Sequence, residues 1–408
     1  MPFRRLDVLP GFNWLGPSLD PTEILFLVAG PLALYRARTK IWPERERFGY
    51  VLLCFLAALT VSTLMADTRS GYFELAGRYY LLAVFCTFLW AVRSAGPSFL
   101  AAVFRWWTYG VVGLVTTAYL GYPLAWLGIT EAMVWIYEDY PYFGTIYRAT
   151  GLAGGSTPLI LLMLPPLFHR WWTWRQHGQF PWLLVYFAPI LVLTLSKEVL
   201  LVPIALLLAA GGPRRMFRFL FAGVLILAYN FSTHLLIQPV HSLEGTVYER
   251  AEYSSGRVAY RGSSFQLLET TYVSLKRTAR YLANRNPVVG VGADQFQQIL
   301  KDRRPTEVYP THLPPYNPHS AWFGVPAEAG YVGLAALVAM VVIIGRRLKA
   351  NLARGGTALD SYNRALLATG IGFLVVSFNY DMLHFNFVWV TFALILGQTG
   401  KNWRVDAA

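Results

Sequence analysis

The chain has 408 residues, of which 55% are hydrophobic, 16% aromatic and only 14% charged. Soluble globular proteins carry about 25% charged residues, so this composition favours an integral membrane protein. The net charge of +13 does not require a nucleic-acid partner, because the cytoplasmic loops of membrane proteins are rich in lysine and arginine. The two cysteines, Cys54 and Cys86, lie in apolar runs and allow neither a disulfide framework nor a cysteine metal site.

Apolar segments recur along the whole chain at the length a helix needs to cross a bilayer. They predict an all-α, polytopic integral membrane protein of about 11–12 transmembrane helices. The residues before the first segment do not resemble a cleaved signal peptide, so we expect the first span to act as its own targeting signal. The predicted spans are Glu23–Tyr35, Phe48–Met65, Tyr79–Val92, Phe99–Leu120, Leu152–Phe168, Trp182–Leu195, Val199–Ala210, Phe217–Leu236, Ser320–Ile344, Arg364–Phe378 and Met382–Leu396.

Lysine and arginine are concentrated in alternate loops, and this bias predicts the orientation of the spans. The loops predicted to be cytoplasmic are 36–47, 169–177, 211–218 and 345–356. The intervening loops, including the long segment 237–318, then face the outside. We expect one integrated membrane domain, in which residues 1–236 and 319–408 supply the spans and residues 237–318 form a large outer loop containing short helices.

Within the large outer loop, one segment shows helical spacing of its apolar residues. The spacing predicts an amphipathic helix that lies along the membrane surface and ends at Asn286-Pro287. A glycine-rich turn, GVGADQF from Gly290, should follow and lead into a short helix. The apolar residues that carry the amphipathic pattern are Phe265, Leu268, Tyr272, Leu275 and Ala279.

Ionisable residues gather at the outer ends of the spans. A charge buried there is costly, so we take these residues as candidates for a functional site. Arg148 and Lys197 lie close to the outer boundary and favour an anionic partner; the alternative is snorkelling, or pairing with Glu138 or Glu198. The full set of candidates is Arg69, Arg78, Arg148, Lys197, Arg257, Arg261, His319, Asp381 and His384.

His319 stands where the large loop becomes a span, and an imidazole is suited to accept a proton from a hydroxyl at neutral pH. The alternative is an interfacial histidine that only forms hydrogen bonds. His384 beside Asp381 is a second candidate base, and Glu328 is expected to form hydrogen bonds inside the bundle. The sequence contains no close Asp-x-Asp pair and no HExxH motif, so we expect no metal and no cofactor.

Four motifs, in this order, resemble the O-antigen ligase and O-antigen polymerase superfamily of bacterial envelopes. They are IYRATGLAGGSTPLI with Arg148, the SKE element at Ser196, the outer loop with SSGR and GVGADQF, and PHSAWFGVPAEAGYVGL with His319. The resemblance implies a multi-pass protein of the bacterial inner membrane with a periplasmic active site. It also implies a donor glycan on undecaprenyl pyrophosphate and metal-independent transfer to a hydroxyl of the lipid A core, or to a second lipid-linked glycan in a polymerase.

By the resemblance, His319 is the base for the acceptor hydroxyl, while Arg148, Lys197 and Arg257 occupy basic motif positions that contact the pyrophosphate. Arg78 and Arg261 are further pyrophosphate-binding candidates, and Arg69, Glu328, Asp381 and His384 are secondary candidates. The chain departs from the family in carrying Lys197 where arginine is frequent and Ser320 where asparagine is common. A transporter of polyprenyl-linked lipids is the alternative from another class, and it predicts inverted repeats and helices broken at mid-membrane depth.

Overall fold

A computed structural model describes residues 47–66, 71–140, 144–178, 180–210, 215–239, 254–354, 357–399 and 403. Most of these residues are helical, as expected, and the helices share a large apolar core. The predicted span Glu23–Tyr35 and the candidate Arg69 lie outside the described residues. The helices are α1 (Arg47–Leu64), α2 (Gly71–Ala95), α3 (Pro97–Trp126), α4 (Ser156–His177), α5 (Trp182–Leu193), α6 (Leu201–Ala209), α7 (Arg215–His234), α8 (Thr271–Arg285), α9 (Gln295–Asp302), α10 (Ala321–Arg354), α11 (Thr357–Val376) and α12 (Asn386–Leu396).

Every predicted span within the described part of the chain overlaps one of these helices, although the ends differ by several residues. By length and composition, five of the described helices are apolar enough to cross a membrane, which indicates a membrane protein. The helices α5 and α12 are apolar but shorter. The five candidate membrane spans are Arg47–Leu64, Gly71–Ala95, Pro97–Trp126, Met216–His234 and Ala321–Arg354.

Two small antiparallel sheets, which the sequence did not predict, lie in the segments assigned to the outer side. Strands β1 (Val134–Tyr140) and β2 (Gly144–Ala149) form a hairpin. Strands β3 (Leu235–Pro239), β4 (Ser254–Arg261) and β5 (Phe265–Thr270) form a sheet in which β5 is central. The large outer loop therefore contains strands as well as the expected short helices.

The amphipathic helix predicted from Phe265 onward is wrong in its first part. Residues 265–270 form β5, which is paired on both edges, and this pairing overrides their helical spacing. The helix α8 begins only at Thr271. Its buried face, with Leu275 and Ala279, packs against α10.

The long helix α10 is broken at Gly330, which has φ 66° and ψ −177°. The loop after α8 docks into this break through backbone hydrogen bonds. The Tyr331 amide donates to the Pro287 carbonyl at 2.7 Å, and the Gly292 amide donates to the Glu328 carbonyl at 2.9 Å. The expected glycine-rich turn is therefore present, and it joins the outer loop to the helical bundle.

We predict that Gly330→Ala destabilises the protein by at least about 2 kcal/mol, because L residues are strained at positive φ. A Cβ at this position would also lie 2.2 Å from the Val288 carbonyl oxygen, so the docked loop would have to move. Gly345→Ala on the same helix is the matched control, since no atom lies within 4 Å of a Cβ built there. Thermal unfolding in detergent should show a lower Tm for Gly330→Ala only; equal Tm values would contradict this account of the break.

Candidate functional site

His319 is the last residue but one before α10, and its backbone adopts the left-handed conformation with φ 46°. Such a φ is uncommon outside glycine, and strained residues of this kind cluster at functional sites. The neighbouring Ser320 is buried, and the Ala321 amide donates to the Ser377 carbonyl at 3.0 Å. The start of α10 is thus fixed to the end of α11, and this contact holds His319 at the junction.

Three tyrosines from separate segments surround the imidazole of His319. The ring centroids of Tyr272, Tyr316 and Tyr380 lie 5.6, 6.1 and 6.3 Å from that of His319. Burial lowers the pKa of His319. The charge of Asp381 raises this pKa, and the charge of Lys197 lowers it further. The imidazole is therefore neutral at neutral pH, which is the form that accepts a proton.

Lys197, one of the predicted cations, lies beside the ring of Tyr272, with its Nζ 4.9 Å from the ring centroid. Burial lowers the pKa of Lys197; the charge of Glu198 opposes this effect and the charge of Arg148 adds to it. The structure therefore brings Lys197, Arg148 and His319 into one electrostatic environment. This arrangement agrees with the grouping expected from their order in the sequence.

Arg148 lies in β2, and its position follows from contacts to the end of α5. The Nε of Arg148 donates to the Thr194 carbonyl at 2.8 Å. The hydroxyl of Tyr122 shares its one proton between the carbonyls of Tyr147 and Leu193, at 3.0 and 2.9 Å, which ties β2 and α5 to α3. The guanidinium of Arg148 is thereby held next to the turn that carries Lys197.

Sequence reasoning missed Lys276, which belongs to the same group. Its Nζ donates to His234 Nε2 at 2.5 Å and to Asn379 Oδ1 at 2.6 Å, and it lies 5.8 Å from the ring centroid of Phe323. Burial and the charge of Lys197 lower the pKa of Lys276 to about 8. The sequence spacing could have indicated Lys276, because this residue lies one turn after Tyr272 on the predicted amphipathic helix.

A second cluster of charged residues contains Arg78, which had been predicted to bind pyrophosphate. The Nε of Arg78 lies 3.0 Å from Glu74 Oε1, and its Nη2 lies 3.5 Å from Asp381 Oδ2. His384 joins them, with Nδ1 2.8 Å from Glu74 Oε1 and Nε2 2.6 Å from Asp381 Oδ2. Arg78 is therefore buried between two carboxylates, and its charge is compensated inside the protein.

The same cluster decides between the two candidate bases. Burial and the charge of Arg78 would lower the pKa of His384, but the carboxylates of Asp381 and Glu74 outweigh them and raise this pKa to about 9. The pKa of Asp381 is held well below its usual range despite burial, chiefly by His384 and Arg78. His384 is thus protonated at neutral pH and already pairs with both acids, which makes it a poor base.

Glu328 associates with this second cluster, since its charge interacts with those of Arg78 and Asp381. Its backbone carbonyl accepts hydrogen bonds from the Ser62 hydroxyl and from the amide of Gly292. These are contacts of the backbone, so the expected hydrogen-bonding role of the Glu328 side chain stays a prediction.

Arg257 and Arg261 lie on β4 with exposed side chains. Within the described residues, neither side chain forms a hydrogen bond or ion pair with the group around His319.

The described residues contain no group of three or more histidine, cysteine, aspartate or glutamate side chains placed to hold a metal ion. No protein-family model matches the chain, and no curated protein sequence matches it.

The pKa shifts predict a bell-shaped pH profile for any reaction in which His319 is the base and Lys276 binds an anion. The rate should fall as the pH drops through the lowered pKa of His319, because the base becomes protonated. It should also fall as the pH rises through about 8, because Lys276 then loses its charge. The profile of kcat/KM, which reports the free enzyme, is the measurement.

Lys276→Arg provides the control for the basic side of this profile, since arginine stays charged throughout the accessible range. The fall near pH 8 should disappear in this variant while the acidic limb is unchanged. A basic limb that persists in Lys276→Arg would show that another group causes it.

Proposed function

We propose that this protein is a membrane glycosyltransferase that moves a glycan from a polyprenyl pyrophosphate to a sugar hydroxyl. The observation that supports the proposal is the placement of Lys197 near a neutral His319, with Arg148 and Lys276 both near enough for their charges to interact with that of Lys197. Neither Lys197 nor Lys276 has a carboxylate within ion-pair distance among the described residues. Such a site suits a substrate that carries both a hydroxyl to be deprotonated and a multiply charged anion.

In the proposed reaction, the acceptor oxygen attacks the anomeric carbon of the donor sugar. The bond from that carbon to the pyrophosphate oxygen breaks, its electron pair goes to the pyrophosphate, and the acceptor proton goes to His319. The cations stabilise the charge that develops on the leaving group, which is the role of preorganised donors in other transfer reactions. The chemistry needs no metal ion, because lysine and arginine neutralise the pyrophosphate.

Within this class we favour an O-antigen ligase, whose acceptor is a sugar of the lipid A core, and place the reaction at the periplasmic face of the bacterial inner membrane. A polymerase of O-antigen or exopolysaccharide repeat units is the alternative. Both enzymes share the undecaprenyl-linked donor and the reaction, so the residues around His319 serve either acceptor. The motif order in the sequence supports the family, and the grouping of Arg148, Lys197 and His319 supports the site.

A transporter of polyprenyl-linked lipids is a candidate of another class, and the break at Gly330 is the feature that favours it. The docked loop 287–293 fills this break with backbone hydrogen bonds, so the freed groups of the helix already have protein partners. The break also falls near the start of α10, whereas transporter sites are built near the middle of the membrane. The glycosyltransferase therefore explains more of the described geometry.

The central experiment measures donor binding and single-turnover glycan transfer for His319→Ala in nanodiscs. We expect donor affinity to be nearly unchanged and transfer to fall by about 10²- to 10⁴-fold, because only the proton acceptor is lost. Lys276→Gln should weaken both steps, because the ammonium would contact the pyrophosphate in the ground state and in the transition state. His312→Ala, an exposed histidine of the same outer loop, is the control and should behave as the native protein. Near-normal transfer by His319→Ala would reject His319 as the base.

Ligase and polymerase differ in the surface polysaccharide left when the gene is deleted. Loss of all long glycan from lipid A, with the lipid-linked polymer retained, is the result expected for a ligase. A single repeat unit on lipid A would instead identify a polymerase. An unchanged polysaccharide profile would contradict both assignments.

The orientation is tested by single cysteines placed in a variant that lacks Cys54 and Cys86. A cysteine replacing Thr311, exposed in the large loop, should react with a membrane-impermeant thiol reagent in intact spheroplasts. A cysteine replacing Lys349, exposed near the end of α10, should react only after permeabilisation. The reverse pattern would put His319 on the cytoplasmic side and remove the periplasmic assignment.

A further inference from the structure

A pocket of about 350 Å³ lies at the far end of α10 from His319. The unbroken part of α10 from Tyr331 to Arg346 alone spans about 22 Å at 1.5 Å per residue. The pocket is formed where the start of α1, the later part of α10 and the end of α12 meet. It is therefore well separated from the proposed catalytic centre.

Three arginines line this pocket: Arg47 from α1, and Arg346 and Arg347 from α10. Among the described residues, no carboxylate lines the pocket. Guanidinium groups bind phosphate through paired, charge-assisted hydrogen bonds, so three of them around one small cavity favour a phosphate-bearing ligand. Arg47 and Arg346 are exposed and so are accessible to such a ligand.

The remaining walls are apolar and are supplied by Phe48, Ile343, Ala350 and Leu396. Ile343 lies next to the end of the apolar part of α10, and Arg346 follows within one turn, so the pocket spans the change from apolar to charged surface. A soluble phosphate would leave the apolar walls unused, whereas a lipid fills them with its chains and offers its phosphate to the arginines. The sequence also assigns the loops that contain Arg47 and Arg346 to the cytoplasmic side, where anionic lipids attract basic residues.

We propose that this pocket binds the phosphate headgroup of an anionic membrane phospholipid. The arginines contact the phosphate, and the acyl chains lie against Phe48, Ile343 and Leu396. The bound lipid bridges α1, α10 and α12 at one end of the bundle. This inference does not depend on the glycosyltransferase assignment.

Native mass spectrometry of the purified full-length chain in neutral detergent provides the test. Phosphatidylglycerol and phosphatidylcholine with identical acyl chains are titrated, and we expect retained phosphatidylglycerol at concentrations where phosphatidylcholine is not retained. Arg47→Gln/Arg346→Gln should weaken phosphatidylglycerol binding by about tenfold or more, since each charge-assisted hydrogen bond is worth more than about 1.4 kcal/mol. Equal retention of the two lipids by the native protein would overturn the proposal.

Two further variants separate the pocket from a general effect of charge or folding. Arg175→Gln/Arg354→Gln removes the same charge from exposed residues that do not line the pocket and should bind like the native protein. Ala350→Trp keeps all three arginines but fills the pocket, and it should lose binding. Equal losses of binding in the two double variants would overturn the assignment, and so would native binding by Ala350→Trp. Glycerol 3-phosphate carries the phosphate without acyl chains. If it bound as tightly as phosphatidylglycerol, the lipid assignment would also be overturned.

Discussion

The docking of loop 287–293 into the break of α10 is the interaction on which the candidate site depends. Backbone hydrogen bonds from this loop hold the end of α8 against the bundle. At the other end of α8, the Thr270 hydroxyl donates to the Thr233 carbonyl at 2.6 Å and fixes its start to α7. Because both ends are anchored, Tyr272 is held beside His319 and Lys276 is held against His234 and Asn379. A free outer loop would give these side chains no defined distance from the imidazole.

The two charge clusters at the predicted outer face differ in how their charge is compensated. Arg78 and His384 lie between Glu74 and Asp381, so this cluster satisfies its own charges and links α2 to the turn before α12. Such a cluster of paired charges needs no ligand to balance it. The group around His319 contains more cations than carboxylates, and its lysines have lowered pKa values. This imbalance of charge costs stability in the free protein, and an anionic ligand would relieve it. The group around His319 is therefore the stronger candidate for substrate binding.

Sequence reasoning succeeded where a local pattern determines the structure. Apolar length located the described helices that match the predicted spans. It failed where long-range pairing decides, as in residues 265–270, whose helical spacing is overridden by two neighbouring strands. It also missed Lys276, since the hydrogen bonds from Lys276 to His234 and Asn379 join residues 42 and 103 positions apart. The pairing of Arg78 with Asp381 is also long-range and could not be foreseen, whereas its pairing with Glu74 is local, at i and i+4 on α2.

The contrast between His319 and His384 shows how the neighbours of a histidine determine its role. Both histidines belong to segments predicted to face outward, and from sequence either one is a possible base. Two carboxylates around His384 stabilise its protonated form, whereas burial among tyrosines and the charge of Lys197 stabilise the neutral form of His319. Asp381 acts on both, but it contacts only His384, at 2.6 Å. A base for a sugar hydroxyl has to be neutral before the reaction and close to a group that stabilises the leaving anion, and of these two histidines it is His319 that combines both properties.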